Sequence, residues 1–334
     1  MSFYRGFIGS YTRRTSKGIR SFRFNEDEFV LEDFYTVDDP TYLLLSKDSN
    51  VLYSTLREGN EGGVMSLDLR TLHADKVTFK ENSTPCHISC SGEYILASNY
   101  HQGKLDLYRT KNHELQERLQ SLVFQGKGPV EGRQESSHLH FAQKNPYNED
   151  ILACDLGSDK IYVFAIEDKL MKKSEILLPP GSGPRHFVFH GKEKLLYVIS
   201  EITSELFTID FRSGEYILKQ FTPTLPLDFK GQNTGGAIRI APDNRFIYVS
   251  NRGHDSISIL LIKEHGFVEK IGSVSTEGQH PRDFNLSPDG EFLLAGNMNT
   301  DNLTLYKIDR DTGALTLLRS DIYSPEPCSI VFQK

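Results

Sequence analysis

The sequence predicts an all-β fold, a seven-bladed β-propeller, on three observations: a short motif recurs seven times, strand-like segments fill each interval, and the two chain ends complement one another. The motif reads DPTYLLLS at 39, TPCHISCS at 84, SHLHFAQK at 137, GPRHFVFH at 183, GGAIRIAP at 235, HPRDFNLS at 280 and EPCSIVFQ at 326. Its second residues (Pro40, Pro85, His138, Pro184, Gly236, Pro281 and Pro327) are separated by 45, 53, 46, 52, 45 and 46 residues. That spacing matches the roughly 40–50-residue period of propeller blades.

Each copy opens a blade in the same order. The motif enters a short alternating strand. A turn such as SPDGE (287–291) or APDNR (241–245) follows, its Pro, Asp, Gly and Asn supplying the backbone torsions of a reversal. An apolar strand such as FIYVSN (246–251) comes next, then two more, such as ISILLI (257–262) and FVEKIGSVS (267–275). Four strands make one blade. Helical periodicity is weak, its best candidate being NHELQERLQ at 112–120. The polar stretch QGKGPVEGRQESS (125–137) reads as a long surface loop rather than a boundary, so residues 1–334 are expected to form one domain. The seventh copy leaves room for one strand only. YRGFIGSYT (4–12), GIRSFRF (18–24) and FVLEDFYTV (29–37) supply the other three, closing the ring and hiding edges that an open sheet would expose.

Composition narrows the function classes. A formal net charge of −7 argues against a nucleic-acid or anionic-membrane partner, which would call for a surplus of Lys and Arg. No apolar run approaches the 18 residues of a spanning helix, and the N-terminus lacks a basic start followed by an apolar stretch, so a soluble, cytoplasmic protein is expected. Cys86, Cys90, Cys154 and Cys328 are too few and too far apart for a disulfide scaffold or a zinc site and read as free thiols. Their spacing provides for no zinc or redox cofactor site.

The innermost strand of a blade lines the central channel and the second runs antiparallel beside it, so the start of one and the end of the other share a face. Aligned on the motif, Tyr42, His87, His140, His186, Ile238, Asp283 and Ser329 share one rank at the channel mouth. Thr41, Cys86, Leu139, Arg185, Ala237, Arg282 and Cys328 stand one position earlier. The ends of the second strands contribute Arg57, Tyr100, Leu156, Glu201, Arg252, Met298 and Tyr11. Arg185, His186 and Glu201 thus fall in one blade, Arg252 in the next, His138 and His140 in the one before. Histidine or a buried carboxylate can take a proton from water, and paired arginines hold a carboxylate or phosphate in a fixed fork. The set suits hydrolysis of a small anionic ester. Structural readings stand beside it: Glu201 pairing with Arg252 across blades, Arg282 with Asp283 at the rim, and Asp155, Asn251 and Asn297 tying the mouth by hydrogen bonds or holding a hard cation.

The segments GSYT and SKGI near the N-terminus, SHLH (137–140), CDLGSDKI (154–161), GPRH (183–186), YVISE (197–201), SNRGHDSI (250–257) and GQHPRDFNLSPDG (278–290) together resemble the seven-bladed lactonase family of the bacterial 6-phosphogluconolactonase type, over nearly the whole chain. The resemblance implies metal-independent hydrolysis of 6-phosphogluconolactone to 6-phosphogluconate in the oxidative pentose phosphate pathway. A fungal muconate lactonizing enzyme of similar fold has a proposed site of one His, two Arg and one Glu, which looks like His138 or His140, Arg185, Glu201 and Arg252 here. In the first blade the sequence STLREG departs from the family's Asn-Glu pair, placing Leu56 and Arg57 at those ranks.

On this reading Glu201 or His140 activates water, Arg185 faces the developing oxyanion, Arg252 or Arg282 holds the phosphate, and the other of His138 and His140 protonates the ring oxygen, with His87 and His186 near the substrate. The rival readings are hydrolysis of another carboxylated lactone, a muconate-type cycloisomerase, a metal-dependent sugar lactonase and a non-catalytic propeller presenting loops to a protein partner.

Overall fold

The computed structural model describes residues 3–334. Seven four-stranded antiparallel sheets follow one another around a ring. Their innermost strands are Leu43–Leu45, His87–Ser91, Leu139–Lys144, Pro184–Phe189, Thr234–Ile240, Pro281–Leu286 and Pro327–Phe332, and each touches the next, the last returning to the first. The composite blade forms as the sequence predicts: Pro327–Phe332 pairs with Tyr4–Ser10, followed outward by Gly18–Phe24 and Phe29–Thr36. Among the described residues the sole helical element is a 3₁₀ turn, Glu264–Gly266. The helix candidate at 112–120 is instead a turn entering the outer strand Glu114–Val123, where Leu115 is buried and the other residues are half-buried or exposed. Pairing with Lys104–Lys111 overrides a short helical pattern that buries nothing by itself.

Stability resides between blades. Seven apolar clusters fill the seven interfaces; one joins Phe141, Ile161 and Val163 to Phe187, Val198 and Phe207 of the neighbouring blade. Apolar burial at roughly 25 cal/mol per Å² makes these faces the main cohesive term. Tyrosines at one repeat position add a polar tie: the hydroxyls of Tyr53, Tyr197 and Tyr248 donate to the carbonyls of His113 (2.8 Å), Gly266 (3.1 Å) and Gly313 (3.0 Å) in the following blade.

At the channel mouth five innermost strands carry one extra residue relative to their partner. The register steps between Leu139 and Phe141, Pro184 and His186, Gly235 and Ile238, Pro281 and Asp283, and Pro327 and Ser329. Such bulges bend a strand and re-aim the inserted side chain. They also correct the ranks read from sequence. Leu139 faces Asp155 as Pro184 faces Ser200, so His140 is the counterpart of Arg185, and Phe141 that of His186. Likewise Gly235 faces Asn251, which moves Ala237, rather than Ile238, to the His186 rank. A motif alignment slips by one residue because the loops leading into these two blades differ in length. A slip of one changes which way a side chain points.

Candidate active site

The corrected ranks separate two layers. Tyr42, His87, Phe141 and His186 stack ring against ring across four blades, with centroids 4.4, 3.9 and 4.8 Å apart, and form an aromatic floor. Asp283 continues this layer by accepting from Arg239 (2.8 Å) and from the Ile330 amide (3.0 Å). Arg282 is therefore not its ion-pair partner. Above the floor stand the bulge residues His140, Arg185 and Arg282. His140 lies 5.0 Å from His186, ring centre to ring centre.

A cavity of about 570 Å³ opens on this upper layer. His140, Glu201, Arg252, Arg282, Cys86 and Thr41 line its base; Tyr11, Arg13, Arg57, Tyr100, His101 and Glu81 line its sides. The structure thus brings His140, Glu201, Arg252 and Arg282 to one cavity. Arg185 stands immediately behind Glu201, 2 % exposed. His87 and His186 lie in the floor and do not reach the cavity. His138 points aside: its Nδ1 lies 2.9 Å from the Tyr100 carbonyl oxygen and its ring stacks on the Tyr100 ring at 4.2 Å.

Glu201 organises the electrostatics. Its Oε2 accepts from Arg185 Nε (2.9 Å) and Arg252 Nη2 (2.6 Å), and its Oε1 from Arg133. Arg185 Nη1 also donates to the Gly236 carbonyl (2.8 Å), and Arg252 Nη2 to that of Gly235 (2.6 Å). Burial opposes ionisation of Glu201, but Arg252 and Arg185 outweigh it and hold the carboxyl well below the usual carboxylate range. It is a fixed anion. His140 goes the other way: burial first and Arg185 next lower its pKa well below the ordinary histidine value, so the imidazole is neutral near pH 7. Its Nδ1 is buried without a hydrogen-bond partner. Burial and nearby arginines likewise keep His87 and His186 uncharged. Among the described residues Arg282 has no carboxylate partner, whereas Arg57 is paired with Asp39 at 2.9 Å.

Arg133 is the group that sequence reasoning missed. It belongs to the loop 124–138, outside every repeat rank, and no periodicity singles it out. The loop is held by Gln134, whose amide donates to the Leu156 carbonyl and to Asp159 Oδ1, both at 2.8 Å.

The residues weighed for a cation are engaged otherwise, except the Asn297 Oδ1, which is buried without a hydrogen-bond partner. Asp155 accepts from the His138 amide (2.7 Å), the Gly157 amide (3.1 Å), Ser158 (2.5 Å) and Tyr162 (3.3 Å). Asn251 binds Thr224, Ser256 and Ser258, and Asn297 donates to Thr276 and Thr304. These residues tie the channel mouth together.

A ring of seven blades carrying a polar cavity at one mouth matches the profile of the family described as Lactonase, 7-bladed beta-propeller, over residues 5–332. The chain belongs to this lactonase family. A 6-phosphogluconolactonase of Bacillus subtilis is 36% identical, covering 99% of both chains. Among solved structures, a Lactobacillus plantarum protein superposes with a TM-score of 0.94 at 30% identity over the full length of both chains. The periplasmic gluconolactonase PpgL of Pseudomonas aeruginosa gives 0.90 at 25% identity, covering 99% of both. The lactonase has no helix, among the described residues, long and apolar enough to cross a membrane.

Proposed function

We propose that the protein hydrolyses 6-phospho-D-glucono-1,5-lactone, the reaction of the oxidative pentose phosphate pathway that the name of its Bacillus subtilis relative describes, with His140 as the base. The observation carrying this reading is the contrast at the base of the cavity. Glu201 is ionised with both oxygens on arginines, while His140 is neutral and lines the same cavity. A carboxylate so occupied spends its lone pairs on guanidinium groups; a neutral imidazole is in the protonation state that general-base catalysis needs, and neighbouring Glu201 favours its protonated form.

His140 takes a proton from water as the water oxygen attacks the lactone carbonyl carbon. Charge gathers on the carbonyl oxygen, opposite Arg252. The ring C–O bond then breaks, and the imidazolium returns its proton to the departing ring oxygen, leaving a hydroxyl and a carboxylic acid that then loses its proton to solvent. Glu201 stabilises the transient imidazolium and holds Arg185 and Arg252 in place. His138 supports Tyr100 and takes no part in proton transfer; His87 and His186 support His140 from the floor. Arg282, free of a carboxylate, and Arg13, stacked 3.9 Å over Tyr11 at the rim, supply positive charge for the phosphate.

The test is initial-rate hydrolysis of phosphorylated against unphosphorylated gluconolactone, corrected for the spontaneous reaction. The expected result is at least a tenfold higher kcat/KM for the phosphorylated lactone. Equal values would remove the phosphate from the proposal, and no rate above background would overturn it.

A further inference from the structure

A second cavity, of about 510 Å³, lies beside the first and shares one wall with it. Arg252 lines both, and the chain of ion pairs Arg133–Glu201–Arg252 runs along the partition. The two spaces differ in chemistry. The first is ringed by aromatic and charged groups. The second is lined by Arg133 and Arg252 on one side and by Gln232, Asn233, Gln279, Asn299 and His280 elsewhere.

The partnering of these groups tells what the space would accept. Among the described residues the side chains of Gln232, Gln279 and Asn299 make no hydrogen bond, so three amides, each both donor and acceptor, are free to face a ligand. Asp255, the sole carboxylate in the lining, spends Oδ1 on the amides of Gly253 (3.1 Å) and His280 (2.8 Å). Burial and then Arg252 lower the pKa of His280 to about 3, so it contributes a neutral imidazole. Arg252 directs Nη2 to Glu201 and Gly235 and leaves Nη1 without an acceptor among the described residues. Two arginines at one end and amides at the other match a ligand with one anionic head and a hydroxylated body. Amides pair with vicinal hydroxyls without charge, and a guanidinium pairs with a carboxylate in a fork.

We propose that this second cavity is a binding site for a sugar acid, its carboxylate at Arg133 and Arg252 and its hydroxyls on Gln279, Asn299 and Gln232, distinct from the cavity in which His140 stands. Arg252 belongs to both sites, so occupancy of the second alters the charge available to the first without filling it. The inference goes beyond the proposed hydrolysis and does not depend on it.

Isothermal titration of the intact protein with D-gluconate tests it, with acetate as an anion lacking hydroxyls and myo-inositol as a polyol lacking charge. Gluconate is expected to bind at least tenfold more tightly than either. The double variant Gln279→Leu/Asn299→Leu, changed at exposed positions away from the first cavity, is expected to weaken gluconate at least tenfold with lactone hydrolysis within threefold of wild type. Its urea midpoint confirms that it folds. Unchanged gluconate affinity in that variant overturns the proposal, as does acetate binding equal to gluconate, or gluconate binding lost in Arg282→Ala but retained in the double variant. A protein that hydrolyses no lactone yet loses gluconate in the double variant refutes the proposed hydrolysis and leaves this site standing.

Discussion

Replacing Glu201 by Gln tests the charge arrangement directly. The substitution keeps shape and removes one negative charge from among three guanidinium groups. Arg185 and Arg252 have side chains only 3% and 5% exposed, so water reaching them through the cavity replaces the lost carboxylate poorly. Leaving a buried charge without its partner costs about 3–5 kcal/mol. Arg133, at 34% exposed, turns to solvent and adds little, since exposed pairs are worth about 0–1 kcal/mol. The expected loss is therefore about 3–5 kcal/mol, a large part of the roughly 5–15 kcal/mol that holds a domain together. Urea unfolding followed by far-UV circular dichroism or tyrosine fluorescence measures it; the chain has 15 Tyr and no Trp. Because the stranded arginines form an anion site, sulfate should raise the midpoint of Glu201→Gln more than that of wild type. A variant within about 1 kcal/mol of wild type, with no added response to sulfate, would refute the claim that Glu201 is the fixed counter-ion of the two buried arginines.

Three further outcomes follow from the same geometry. His140→Gln should lower kcat by about 10²–10⁴-fold, the usual contribution of a general base, with a near-normal urea midpoint; full activity would remove His140 from catalysis. Stability should fall as pH drops below about 6.5, the ordinary histidine value, because His87, His140 and His186 are held below it in the fold. The unfolded chain then binds more protons than the native one, and each histidine costs up to about 1.4 kcal/mol per pH unit until its folded pKa is reached. Equal urea midpoints at pH 7.5 and 5.5 would show that these rings are not buried neutral. Tyr197→Phe removes the hydrogen bond to the Gly266 carbonyl and should cost about 1 kcal/mol in the same unfolding assay without changing kcat.

The architecture was legible because a propeller repeats. Seven motifs, six of them marked by Pro or Gly, and the strand patterns between them determine blade number, strand order and the shared N- and C-terminal blade. The convergence of Arg185, Glu201 and Arg252 was legible for the same reason: they depart from their repeat ranks, and the hairpin of Pro184–Phe189 and Leu195–Ser200 returns two of them to one place. What stayed hidden has two physical causes. A bulge inserts a residue without leaving a mark in apolar periodicity, so His140 was set level with His186 although it stands one layer above. Arg133 comes from a loop with no repeat counterpart, and only the folded chain brings it 68 positions along the sequence to Glu201.

The bulges also explain how a scaffold made of like units can hold an unlike site. Along a regular strand, successive side chains alternate between faces, and a charged residue on the inner strand would point into an interface filled with Phe and Leu. An inserted residue escapes that alternation. Its side chain enters the channel mouth while the residues on either side keep their places, so the position tolerates Cys328 in one blade, Gly236 in another, and His140, Arg185 and Arg282 in the rest. The layer beneath supplies the rigidity. Tyr42, His87, Phe141 and His186 stack into a floor that excludes water from below and fixes the height of His140. Substrate choice can then change by substitution at bulge positions and on the loops above them, at little expense to the blade interfaces that carry stability.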